Sequence, residues 1–355
     1  MTELSQSSSL DVPIVVSNED RRKQIWARVW CGLSLFLVAL GVGATRWQLY
    51  LLAAFRLVPA WCWLVAGMVP LILARRLRPR CWLVGLTVLW VWFGVTCVDE
   101  SRSLTRSMWS RISKPMDSEP QGLRLRVVSM NCSDGSLRTA RETVPLAPDV
   151  LLFQESPGRD DLERLATELF GDSHGVLWSP DTSVVSRWPI QPTKANDHFV
   201  VGSVQPPGGP EIRVVSLRLA PPIVRYDFWS PTCWREQIAN REHQSKQVEP
   251  LANTLIDDSN FIIILGGDFN APQHDHATRV LRNFGRDTFD VAGRGWGNTV
   301  LNTIPVLRFD QIWASGHFRP IATWAVRSEH SDHRLVVSDL VLLSKWRERG
   351  RRSVP

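Results

Sequence analysis

Beyond residue 120 this chain of 355 residues carries no net charge, with 27 Lys and Arg against 27 Asp and Glu. The whole surplus of +6 lies in the first third, where 14 basic residues face 8 acidic ones. With the basic tail from Lys345 set aside, residues 121 to 344 are slightly acidic, 22 basic against 26. A domain so balanced lacks the basic surface along which a nucleic-acid backbone is tracked. Cysteine is also scarce. Four of the six, Cys31, Cys62, Cys81 and Cys97, fall in apolar stretches, and Cys132 and Cys233 alone make no disulfide framework, so both read as free. Internal repeats are absent, and low complexity is confined to the Ser-rich start "SQSSSL", which reads as disordered.

What the first third does have is three apolar stretches, at 25 to 45, 57 to 74 and 81 to 98. A helix crossing ~30 Å of hydrocarbon needs about 20 residues, with a lower limit near 17, and all three reach it. The first is too long for the apolar core of a cleaved signal peptide, and two more follow it. Arg21, Arg22, Lys23 and Arg28 precede the first stretch, and Arg75, Arg76, Arg78 and Arg80 fill the loop before the third. Both clusters are expected on the cytoplasmic side, which puts everything after residue 99 outside the cytoplasmic membrane. Arg102, Arg106, Arg111 and Lys114 count against that orientation, partly offset by Asp99 and Glu100. The expected organisation is a disordered cytoplasmic start (1 to 24), three transmembrane helices (25 to 98), a linker (99 to 120), a catalytic domain (121 to 344) and a basic tail (345 to 355).

From residue 121 the pattern alternates strands and helices. Strands are expected at 123 to 131, 149 to 156, 182 to 188, 211 to 219, 308 to 315, 321 to 327 and 334 to 343. Helical spacing runs over 160 to 170, about 234 to 257, and near 275 to 284. Strands outnumber helices and several are adjacent without a crossover, which gives an α+β class with layered sheets. The stretch "FIIILGGDFNAPQHD" (261 to 275) is a strand buried on both faces that ends at Gly266 and Gly267, presenting Asp268 and Asn270 on a rigid support. Other polar residues abut apolar runs in the same way: Asn131, Glu155, Asp310, and Ser331, Asp332 and His333. Taken singly, each is more often a cap, a turn or a satisfied core group, and it is their number that points to a site.

Five pieces in order, "SMN" (129 to 131), "PDVLLFQE" (148 to 155), "GDFNAP" (267 to 272), "FDQIWAS" (309 to 315) and "SDH" (331 to 333), make the chain resemble the endonuclease/exonuclease/phosphatase superfamily of metal-dependent phosphoesterases. The resemblance covers about 121 to 343. With three spans ahead of it and "GWGNT" at 295 to 299, the chain is similar to the bacterial membrane-anchored branch. The resemblance implies a four-layer sandwich of two central mixed β-sheets flanked by helices. It implies Mg²⁺, or Mn²⁺, bound first by Glu155, with Asn131 and Asp332 completing or supporting the metal side. Asp268 and Asn270 would orient the attacking water and the phosphate, Asp268 being the expected base. His333 would stabilise the transferring phosphoryl group, with Asp310 fixing its ring and favouring its protonated form.

One departure is Arg218, where the family often has His or Tyr. It reads either as a phosphate ligand or as an outward surface residue. Asp134 in "NCSDG" reads as a site residue or a turn cap. The segment 220 to 236, with Pro221, Pro222, Tyr226, Phe228, Trp229 and Trp234, is either core packing or an apolar recognition loop. Its place beside membrane spans favours a phosphorylated, lipid-linked substrate at the bilayer. A nuclease of the same fold is the runner-up, and a silent anchored binding module the third reading.

Overall fold

The computed structural model describes residues 18 to 343 apart from 48, 77, 79, 113 to 121 and 257 to 261. Residues 1 to 17 of the start expected to be disordered, and the basic tail, thus lie outside the described residues, while residues 18 to 24 of that start are helical.

The first third is helical. α1 (Asn18–Thr45), α2 (Ala60–Leu73) and α3 (Cys81–Cys97) pack together, with a 3-10 helix (Tyr50–Leu57) between the first two. Gly67 of α2 lets the Trp90 indole of α3 come so close that a Cβ there would lie 1.7 Å from it. The Trp90 Nε1 donates to Ser34 Oγ at 2.9 Å, and that hydroxyl donates to the Gly67 carbonyl at 3.1 Å. The Trp90 indole and the Ser34 hydroxyl, both inside this apolar bundle, are thus satisfied. Both basic clusters lie at one end, because Gln24 donates to the Arg76 carbonyl at 2.7 Å and accepts from the Arg78 N–H at 3.1 Å.

The expectation of three complete spans is met by one helix. α1 is by itself long and apolar enough to cross a membrane, whereas the other two stretches qualify only as bent pairs. The 3-10 helix meets residues 60 to 76 at 95°, and α3 meets residues 99 to 109 at 80°. Pro59, at the cap of α2, disfavours a helical Val58 and so breaks the second stretch. α3, with 17 residues, rises about 26 Å at ~1.5 Å per residue, short of ~30 Å. The first part of the expected linker is helical, α4 (Asp99–Ile112), whose opening turn carries Asp99 and Glu100, where acids favour a helix start.

The rest of the chain runs β1 (Gly122–Asn131), α5 (Leu137–Arg141), β2 (Val150–Gln154), α6 (Arg159–Phe170), β3 (Gly175–Trp178), β4 (Thr182–Ser186), β5 (Ile190–Ala195), β6 (Phe199–Val204) and β7 (Ile212–Arg218). It continues with α7 (Pro231–Ile256), β8 (Ile262–Asp268), β9 (Arg286–Asp287), α8 (Thr288–Ala292), β10 (Asp310–Ala314), β11 (Phe318–Val326) and β12 (Leu335–Leu343). One sheet has the order β11-β12-β1-β2-β4-β3, the other β5-β6-β7-β8-β10-β9. β1–β2 and β7–β8 are parallel pairs within otherwise antiparallel sheets, so both are mixed. Val127, Leu152, Val214, Ile264 and Ile312 fill the space between the sheets. α6 covers the outer face of the first sheet through Leu162 and Leu165, and α7 that of the second through Val248, Leu251 and Leu255. Two mixed sheets flanked by helices result. The stretch expected as a helix near 275 to 284 is a 3-10 helix (His276–Asn283).

The helical bundle is tied to this domain by buried polar contacts. Arg56 of the first 3-10 helix donates to Gln244 Oε1 at 2.7 Å and Asn240 Oδ1 at 3.2 Å, both on α7. Arg106 of α4 donates to the Phe289 carbonyl at 3.1 Å and that of Asp290 at 2.9 Å, capping the end of short α8. Arg308 reaches Asp99 at 3.1 Å, and Asn298 donates to Glu100 at 2.7 Å.

Candidate functional site

Register brings the polar strand ends together. β8 lies between β7 and β10, with Asp268 opposite both Arg218 and Asp310. Gly267 has φ +152°, and a Cβ there would lie 1.8 Å from the Leu217 carbonyl oxygen, so the strand can reach Asp268 only through a glycine. In the other sheet Asn131 ends β1 beside Gln154 of β2, and Glu155 follows directly. Glu155 (φ +46°) and Asn270 (φ +48°) both adopt a left-handed backbone. Such conformations are uncommon away from glycine and gather at functional sites.

One hydrogen-bonded chain links these residues. Asn131 Nδ2 donates to Glu155 Oε1 at 3.1 Å and to Asp268 Oδ2 at 3.2 Å, bridging the two sheets. The Asn270 N–H donates to Asp268 Oδ1 at 2.9 Å, while its side chain donates to the Leu219 carbonyl at 2.8 Å. His333 Nδ1 lies 2.8 Å from Asp310 Oδ2. Asp332 joins through Ser133, whose hydroxyl donates to Asp332 Oδ1 at 2.9 Å and lies 2.8 Å from Ser331 Oγ. Arg218 is no outward surface residue: its guanidinium holds Glu155 at 2.7 Å and Asp181 at 2.8 Å. Asp134 contributes its backbone N–H to Glu155 Oε2 at 2.8 Å.

Charge is distributed unevenly over this chain. Burial, then the nearby Asp310 charge, pushes Asp268 up to about 6. For His333 burial works downward, but the Asp310 charge and hydrogen bond outweigh it, with help from Asp268 and Asp332, and raise it to about 10. The imidazole is therefore a cation at neutral pH, held 8 % exposed at the edge of the cluster. Burial pushes the neighbouring Cys132 thiol well up, so it stays protonated.

Two hydroxyls, Thr299 and Ser331, support the site although the sequence assigned neither a role. Thr299 Oγ1 accepts from the N–H groups of Phe309 (3.3 Å) and Asp310 (3.2 Å), fixing the start of β10. Ser331 Oγ donates to the Asn131 carbonyl at 2.9 Å and accepts from the His333 N–H at 3.0 Å, joining β1 to the start of β12. Thr299 lies in "GWGNT", and that segment turns out to join bundle to site: Trp296 packs 6.4 Å from Trp61, and Asn298 meets Glu100. The aromatic loop is divided. Phe228 and Trp234 pack on Phe55 of the bundle, with ring centroids at 4.8 and 5.3 Å, while Tyr226 and Trp229 are exposed.

Asp268, Asp310 and His333 offer ligand atoms within 4.8 Å of one another and form a candidate divalent-metal site. Asp310 Oδ1 is buried and has no partner among the described residues, as an oxygen awaiting a cation would. The wider donor set, carboxylates of Glu155, Asp268, Asp310 and Asp332 with the Asn131 amide, is one that a hard oxygen-seeking cation fits.

The family model of the endonuclease/exonuclease/phosphatase family matches residues 130 to 333. Among solved structures the chain is similar to an endonuclease/exonuclease/phosphatase from Beutenbergia cavernae, at 19% identity over 62% of this chain and 72% of that one, TM-score 0.47. It is also similar to a family protein from Bacteroides thetaiotaomicron, at 14% identity over 62% and 99%, TM-score 0.46. A mannosyl-6-phosphatase from the same organism follows at 16% identity over 61% and 100%, TM-score 0.44. Among curated proteins nothing matches. The matched span runs from the end of β1 through His333 and so contains every residue of the hydrogen-bonded chain above, and this protein belongs to the endonuclease/exonuclease/phosphatase family.

Proposed function

We infer that the protein is a membrane-anchored, divalent-metal-dependent phosphoesterase that hydrolyses a lipid-linked phosphate ester or pyrophosphate on the extracytoplasmic side. The observation that carries this reading is the pairing of a buried carboxylate, Asp268, with the imidazolium of His333 held by Asp310. Asp268, titrating at about 6, is ionised at neutral pH and can take a proton from water that attacks phosphorus. His333 gives a fixed positive charge and a donor to the phosphoryl oxygens, where negative charge grows. As the P–O bond breaks, the electron pair and a proton go to the leaving oxygen. Arg218 faces the same space and is suited to grip a non-bridging oxygen.

A bound Mg²⁺ or Mn²⁺ would neutralise phosphoryl charge and hold the leaving oxygen. Two groups of residues compete as its holder. A protonated imidazole has no lone pair to give, which argues against His333 as a ligand and for Glu155, supported by Asn131 and Asp332. Mn²⁺ titration followed by electron paramagnetic resonance separates the two: Glu155→Gln should lose the bound signal and His333→Gln should keep it.

Placement rests on both basic clusters sharing one end of the bundle while Arg56, Asp99 and Arg106 meet the catalytic domain. α1 and the two bent pairs would anchor it. The lipid preference is favoured by an open cleft of about 1000 Å³ that reaches Asp332 and is edged by Leu301 and Ile304, 58 % and 72 % exposed. Apolar residues at the mouth of a phosphate site suit an acyl or prenyl chain better than a base. Detergent-solubilised full-length protein, assayed with Mg²⁺ or EDTA against a prenyl pyrophosphate, a phospholipid and a DNA duplex, tests the reading. Metal-dependent release from a lipid supports it, cleavage of DNA alone makes the protein a nuclease, and metal binding with no turnover leaves a binding module.

A further inference from the structure

A second charged feature lies where α1 and α3 end against the catalytic domain. A cleft of about 430 Å³ there is lined by Arg46, one residue past α1, by Thr96 near the end of α3, and by Arg102, Arg282 and Arg286. It shares no residue with the phosphate site. Arg46, Arg282 and Arg286 are exposed, and so is Arg279 on the same 3-10 helix as Arg282. These charges feel one another: partial burial lowers the Arg282 pKa, and the charges of Arg46 and Arg279 lower it further.

The carboxylates that line the same cleft, Asp287 and Asp290, are already committed. Asp290 is held by Arg102 at 2.8 Å, and Asp287 by Arg308 at 2.6 Å. Arg282 donates to the His274 ring at 2.8 Å, and Arg46, Arg279 and Arg286 have no ion pair among the described residues. Arg46 of the bundle and Arg279, Arg282 and Arg286 of an otherwise slightly acidic domain repel one another and gain by gathering around an anion. Depth is set by their neighbours. Trp47 (67 % exposed), Tyr50 and Leu51 (83 % exposed) follow Arg46 directly, the mixture of aromatic, aliphatic and Arg found at a membrane surface.

We propose that this cleft binds the phosphoryl headgroup of an anionic phospholipid and so seats the catalytic domain on the bilayer. The proposal rests on the membrane reading above. The guanidinium groups would take the phosphoryl oxygens in paired hydrogen bonds, and the acyl chains would lie along α1 and α3. Free phosphate offers the same oxygens without the chains. Each arginine near a membrane surface adds roughly fivefold to affinity for anionic lipid, so removing three should weaken binding about 100-fold.

The test uses full-length protein in a neutral detergent, with thermal stability read against added lipid. Phosphatidylglycerol should raise Tm with a half-maximal concentration that rises about 100-fold in Arg279→Gln/Arg282→Gln/Arg286→Gln, and phosphatidylcholine should do little. The Gln variants keep length and hydrogen bonding, and an unchanged Tm without lipid shows that they fold. An unshifted half-maximal concentration in the variant, or equal effects of the two lipids, would overturn the proposal. So would inorganic phosphate, or a DNA oligonucleotide, reproducing the full shift. Extraction of the protein from membranes by alkaline carbonate would instead refute the membrane reading, independently of the lipid titration.

Discussion

Asp310→Asn keeps the size of the side chain and removes the charge that holds His333. The carboxylate lies 2.8 Å from the imidazole, Asp310 is fully buried, and His333 is 8 % exposed, so solvent screens little of the interaction. In the wild type the ring titrates at about 10. Without the carboxylate, burial is opposed only by the weaker charges of Asp268 and Asp332, and the ring falls toward its ordinary ~6.5. At about 1.4 kcal/mol per unit, and given what breaking a buried pair costs, the loss is on the order of 4 kcal/mol. The sign follows from linkage. A pKa raised in the folded state adds stability that is complete below the unfolded value near 6.5 and disappears as pH climbs through about 10. Wild type and variant should therefore differ most in melting temperature near or below neutral pH, and converge in alkali. Hydrolysis should show the same change. The alkaline limb of the wild-type rate profile, set by loss of the imidazolium, should move down to near neutrality in the variant, and at neutral pH the rate should fall by about 10²–10⁴. An alkaline limb that stays in place would refute the assignment of the positive charge to His333.

Four further outcomes follow. Arg56→Met leaves Gln244 and Asn240 without their shared donor and takes from Asp275 one of the two cations facing it, the other being Arg241 at 3.4 Å, so thermal melts should fall by the equivalent of about 3–5 kcal/mol. Gly267→Ala forces φ +152° on a residue with a Cβ that would meet the Leu217 oxygen at 1.8 Å; the backbone strain alone costs about 1–3 kcal/mol, and chemical denaturation should show at least that. Thr299→Val removes the acceptor for two N–H groups at the start of β10, and kcat should drop with KM nearly unchanged, while Thr299→Ser restores it. A periplasmic phosphatase fused after residue 343 should be active and a fluorescent protein at the same point dark; the reverse pattern would invert the topology.

The catalytic strands were legible because a strand end between hydrophobic run and glycine has few readings. "IIILGGD" states its own burial, and the partners Asp310 and Arg218 arrive by register, which sequence alone does not give. The strands β3, β5 and β6 were not expected. β3 has 4 residues, β5 is a polar edge containing Pro192, and Gly202 interrupts β6, each a weak period-2 signal. The three apolar stretches were legible in composition, but their breaks were not. Hydropathy counts residues and is blind to Pro59 and to the corner before Asp99, where helices bend by 95° and 80°. Arg218 was ambiguous because alternation in "RVVSLRL" points it outward, whereas the strand ends there and the side chain turns to Glu155 and Asp181. Ser331 was legible beside Asp332 and His333, whereas Thr299 and Ser133 act on the chemistry only through others, and a hydroxyl in that role has no sequence signature.

The central claim is that this constellation directs water onto phosphorus with a divalent cation. It is tested most directly by hydrolysis of a chromogenic phosphate ester in ¹⁸O-labelled water, with Mg²⁺ or EDTA, by the wild type and Asp268→Asn. The account predicts one labelled oxygen in the phosphate product and none in the released alcohol, with turnover lost in EDTA and in the variant. Label in the alcohol, or turnover that survives EDTA and Asp268→Asn alike, would contradict it.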